Sequence, residues 1–99
     1  MRLADHQISA LKHLASELAG DDARLYVFGS RLDDSRRGGD LDPMLELSAP
    51  ADNPALLAAR FSARASRIVD GRGVDVLLSA PGLLRLPIHD IAFQDGRRL

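Results

Sequence analysis

Apolar residues in the first twenty positions recur at helical spacing. Ile8, Leu11, Leu14, Ala15 and Leu18 fall on one side of the wheel, and His6, Lys12, His13 and Glu17 fall elsewhere. The pattern predicts an amphipathic helix over 6–19, with Asp5 able to cap its start and Gly20 able to supply the residue that ends it. Leu25-Tyr26-Val27-Phe28 is a short apolar run of strand formers, stopped by Gly29-Ser30. Residues 31–39 are charged, close on Gly38-Gly39 and read as a loop. A second strand is expected over Leu41–Leu47, where Pro43 is out of place.

After a connection over Pro50–Asn53, Asn53-Pro54 gives a cap followed by a first-turn proline, the favoured order at a helix start. Leu57, Phe61, Ala65, Ile68 and Val69 carry the stripe of a helix over 54–69 that ends at Gly71 and Gly73. Val74–Leu78 reads as a third strand, apolar except for Asp75. Pro81-Gly82 makes a turn, and Pro87 opens a last helix through Ile88, Ile91 and Ala92 that ends at Gly96. The expected order is α-β-β-α-β-α. It describes an α/β domain of the α+β kind, one domain over 1–99, with helices packed on a small mixed sheet.

The carboxylates sharpen this outline. An aspartate within a strand of a small core is costly unless it is paired or binds a cation. Asp40 and Asp42, two apart in an extended chain, point to one face, and Asp75 interrupts the third strand. If the first strand is antiparallel to the second and the second parallel to the third, the Gly29-Ser30 turn and all three aspartates meet at one sheet edge. The helix over 54–69 permits that parallel crossover. Magnesium takes hard oxygen ligands and suits converging carboxylates. Gly29 lets a ligand approach the backbone, Ser30 offers a hydroxyl and an N–H to phosphate, and Arg31 can neutralise phosphate charge. Together these are the parts for metal-assisted phosphoryl or nucleotidyl transfer. A calcium loop is excluded, because Met44 stands where a third oxygen ligand is needed.

Composition adds mostly exclusions. Ninety-nine residues make a domain that buries only about two-thirds of its unfolded surface. The hydrophobic share of 45% and charged share of 27% are ordinary for a globular chain. A net charge of −1 gives no bulk attraction to nucleic acid or membrane. Without cysteine there is no disulfide, thiolate metal site or cysteine nucleophile, which fits a cytoplasmic setting. No apolar run approaches the ~20 residues of a membrane span. His6, His13 and His89 make no metal spacing, and His6 and His13 read as solvated surface. Arg60, Arg64 and Arg67 share one helix face, solvated by default, with docking of an acidic partner as the alternative.

Three separated elements, Phe28-Gly29-Ser30-Arg31, Gly39-Asp40-Leu41-Asp42 and Val74-Asp75-Val76, resemble in content and order the minimal nucleotidyltransferases of the DNA polymerase β superfamily. The resemblance runs from about Leu25 to Leu78. It implies that Gly29 and Ser30 hold a nucleoside triphosphate, with ATP the expected substrate here, and that Asp40 and Asp42 hold two magnesium ions. Asp75 would serve as a metal ligand or as base for the incoming hydroxyl. It implies nucleotidyl transfer to a partner; many small members are antitoxins of toxin pairs, and some of those add AMP to a helical toxin-like partner. A homodimer completing the pocket is the other expected partnership. The chain departs from the pattern at three places. Residues 31–39 form a linker one residue short of many members, Asp33 replaces a second arginine, and Pro43 replaces an apolar strand residue. Pro43 either marks a bulge that re-aims Asp42 or weakens the site. The alternative function is therefore an antitoxin-like binding module that neutralises a partner by occlusion.

Overall fold

All six elements expected from the sequence are present in the computed structural model, which describes residues 3–28 and 41–99. They are α1 (Asp5–Ala19), β1 (Arg24–Phe28), β2 (Pro43–Glu46), α2 (Pro54–Ile68), β3 (Leu77–Ser79) and α3 (Pro87–Asp95). A seventh, β4 (Gly96–Arg98), was not expected. The result is a small α+β domain with an open mixed sheet in the order β3-β2-β1-β4. As the topology argument required, β1 is antiparallel to β2 and β2 is parallel to β3, with α2 as the crossover. β4 adds antiparallel to the other side of β1.

Helices α1 and α2 cover one face of the sheet. Leu11, Leu14 and Ala15 from α1 and Phe61 and Ala65 from α2 are buried with Leu25, Val27, Leu41 and Leu45. The start of α1 differs from expectation. Ala4 is the N-cap residue, and Asp5 is the first helical residue, where its charge favours the helix dipole. Capping passes instead to Gln7, whose Oε1 accepts from the Ala4 N–H at 2.8 Å. Gln7 Nε2 also donates to the Ile68 carbonyl at 3.2 Å, tying the start of α1 to the end of α2. The Asn53 side chain caps α2 as expected, accepting from the Leu56 N–H at 3.1 Å.

The other face belongs to α3. Side chains alternate along a strand, so Tyr26 and Met44 point away from the α1–α2 layer. Tyr26 meets Phe93 of α3 edge to face, with ring centroids 5.2 Å apart. The Arg85 guanidinium lies 4.9 Å from the centre of the Phe93 ring. His89 is buried and fastens α3 at its start. The Leu86 N–H donates to its Nδ1, and its Nε2 donates to the Leu78 carbonyl, each at 2.8 Å.

The third strand begins later than its apolar run predicts, and Pro43 supplies the reason. Leu41 donates its N–H to the Gly73 carbonyl and accepts from the Asp75 N–H, both at 2.9 Å. Further along, the Leu47 N–H donates to the Ser79 carbonyl at 2.7 Å. In a parallel ladder every second residue faces the same neighbour. Residue 43 therefore faces the Asp75 carbonyl, and proline has no N–H to give it. That missing rung leaves Leu41–Val74 as an isolated bridge before β3 proper. Pro43 does not mark a bulge. The Leu41–Val74 and Met44–Leu77 pairs have the same offset, and the β1 register runs unbroken from Arg24–Glu46 to Val27–Pro43.

Candidate acidic site at one end of the sheet

The end of β1 and the start of β2 lie side by side, because Val27 pairs with Pro43. Leu41 bridges Val74 at the same end of the sheet. Between the Leu41–Val74 and Met44–Leu77 pairs, the constant offset makes Asp42 and Asp75 direct neighbours across the two strands. Adjacent strands are roughly 4.8 Å apart, and neighbours in a ladder share a face. Leu41 and Pro43 point into the α1–α2 core, so Asp42 and Asp75 project from the α3 face. Asp42 is half-buried and Asp75 exposed.

Of the six site residues expected from the sequence, these two are described, and the fold brings them together. Gly29, Ser30, Arg31 and Asp40 lie outside the described residues, as do Asp33 and the rest of the 31–39 linker. In sequence, Gly29 directly follows β1, and Asp40 is two residues before Asp42. Among the described residues, no group of three or more histidine, cysteine, aspartate or glutamate side chains is placed to hold a metal ion. The donor chemistry of the described pair still fits magnesium: two carboxylates on one face at one level, one of them open to solvent for the waters this ion keeps.

Two further levels complete the α3 face. The middle level, Tyr26, Met44 and Leu77, is apolar, with Met44 fully buried. At the far end Arg24, Glu46 and Ser79 are register neighbours. Glu46 Oε1 is buried, has no hydrogen-bond partner among the described residues and lies 3.9 Å from the Arg24 guanidinium. It lines a concavity of about 430 Å³ with Asp21, Arg24 and Arg98, and another of about 360 Å³ with Ser79, Arg85 and His89. Both concavities are at the opposite end of the strands from Asp42 and Asp75.

No role is expected from the sequence for Glu46, and for His89 only that it makes no metal spacing. Glu46 carried the same signal as the aspartates, a charge inside an apolar strand. His89 stands third in a helix opened by Pro87, the position from which a side chain reaches back to the N-cap amide. Among the described residues no helix is long and apolar enough to cross a membrane. No family model, no curated protein and no solved structure matches this chain.

Proposed function

We propose that this domain is a magnesium-dependent nucleotidyltransferase that moves AMP from ATP to a partner protein in the cytoplasm. The observation that carries the reading is the Asp42–Asp75 pair: two carboxylates on the segments that lead into β2 and β3, neighbours on one face, at the sheet end where β1 leads into Gly29-Ser30. The three elements of the family resemblance supply the remaining roles. Gly29 and the Ser30 hydroxyl and N–H hold the triphosphate, and Arg31 neutralises part of its charge. Asp40 and Asp42 are the carboxylates that hold magnesium. Asp75 either joins them or takes the proton of the incoming hydroxyl. Bound magnesium supplies charge neutralisation of the phosphates and of the oxygen that leaves.

A second reading, a binding module that neutralises its partner by occlusion, draws support from one surface feature. Leu84 is 78% exposed, and Leu86, Ile88 and Ile91 are also exposed at and before α3. A helical toxin-like protein or a second copy of this chain is the occupant either reading calls for.

Incubation with ATP, magnesium and the candidate partner, read by intact mass, tests both. Transfer predicts a gain of one or more AMP units on the partner. Asp42→Asn is expected to abolish that gain with little change in stability, since it removes charge at nearly constant shape. Full activity in Asp42→Asn sinks the assignment. Complex formation with no mass gain and no ATP binding favours occlusion.

A further inference from the structure

The missing rung in the β2–β3 ladder falls between the level of the two aspartates and the level of Met44–Leu77. Three properties of Pro43 bear on that position. Its ring is among the most buried side chains, under 2% exposed, so β2 is anchored to the core there. Its ring also restricts the residue before it, Asp42, to extended backbone angles. Its nitrogen leaves the Asp75 carbonyl without the strand donor that any other residue would provide. Like charges directly across a ladder oppose each other, and here the rung beside them is the one withheld.

We propose that Pro43 is a positioning residue for the Asp42–Asp75 pair: it holds Asp42 fixed and lets the Asp75 segment adjust its spacing to a bound cation. The identity of that cation, magnesium carried with ATP, rests on the nucleotidyltransferase reading. Asp42 is the stationary member, anchored through its neighbour. Asp75 is the adjustable one, tied to β2 on its N-terminal side through Leu41 and left without the next donor.

Pro43→Ala and Pro43→Val each restore an N–H at this position, the first with some loss of core volume and the second with some excess. Amide exchange followed by NMR is expected to show the new amide at position 43 as protected as those of Leu41 and Leu45. Calorimetric titration of magnesium in the presence of ATP is expected to show about tenfold weaker binding to both variants, the scale on which groups behind metal ligands act. In the unmodified protein, magnesium with ATP is expected to slow exchange of the Leu77 amide severalfold. An unprotected amide at position 43 in both variants overturns the missing rung. Protected amides with unchanged magnesium affinity reduce Pro43 to a packing residue and overturn its positioning role. Unmodified protein that binds no magnesium overturns the nucleotidyltransferase reading together with this one, whereas binding without the Leu77 response overturns this one alone.

Discussion

Replacing His89 with alanine tests how α3 is held over the sheet. The imidazole accepts from the Leu86 N–H and donates to the Leu78 carbonyl, so the proton sits on Nε2 and both nitrogens are used. Each bond is worth a net of about 1 kcal/mol. Loss of the buried ring contacts adds about 1 kcal/mol more. His89→Ala is therefore expected to cost about 2–3 kcal/mol, a large part of the 5–15 kcal/mol typical of a domain. With urea m-values of roughly 1–3 kcal/mol/M for small proteins, the midpoint falls by about 0.7–3 M. The chain carries its own local probe, because Tyr26 is the only tyrosine and there is no tryptophan. Its ring contacts Phe93 of α3, so its emission reports whether α3 is docked. In His89→Ala the emission change is expected at lower urea than the loss of far-ultraviolet dichroism. His89→Gln, whose amide carries one donor and one acceptor, recovers part of the loss. A His89→Ala midpoint within about 0.3 M of the parent, with the two signals coincident, would refute this account of the imidazole.

Two other substitutions probe separate links. A Cβ at Gly96 would run into the Ala92 carbonyl oxygen, so Gly96→Ala is expected to cost about 1–3 kcal/mol in thermal or urea unfolding and to loosen the turn from α3 into β4. Arg64 reaches Glu17 at 2.7 Å and joins α1 to α2, yet both side chains are about half exposed. Arg64→Ala is therefore expected to cost less than about 1 kcal/mol, and a double-mutant cycle with Glu17→Ala should show that coupling shrinking in high salt.

The legible parts of this fold are those with local causes. Helix α2 announces itself through Asn53-Pro54 and an apolar stripe, and cap, start and buried Phe61 all lie where those residues put them. The mixed sheet followed from asking which strand directions bring three aspartates and a Gly-Ser turn to one edge. Asp42 and Asp75 are neighbours on the segments leading into β2 and β3 on that basis alone. The illegible parts have distant causes. β4, with Gly96, Arg97 and Arg98, has neither apolar alternation nor useful length. It is a strand because β1 offers it a free side and the Leu99 N–H finds the Leu25 carbonyl at 2.8 Å. The late start of β3 is written in the neighbouring strand, at Pro43. A lone histidine has no spacing to read, so His89 became visible only once Leu78 and Leu86 stood on either side of it.

The order of the strands has a bearing on how this chain avoids its own kind. An open sheet presents two rows of unsatisfied backbone groups along its rims, and long flat rims recruit further strands into aggregates. Here the rims are β3 and β4, three residues each. β4 carries Arg97 and Arg98, and β3 runs into the Pro81-Gly82 turn within two residues. The longer, more apolar β1 and β2 are held inside. Each rim is thus too short, or too charged, to template a continuing sheet, and the hydrophobic strands that would do so are already paired on both sides.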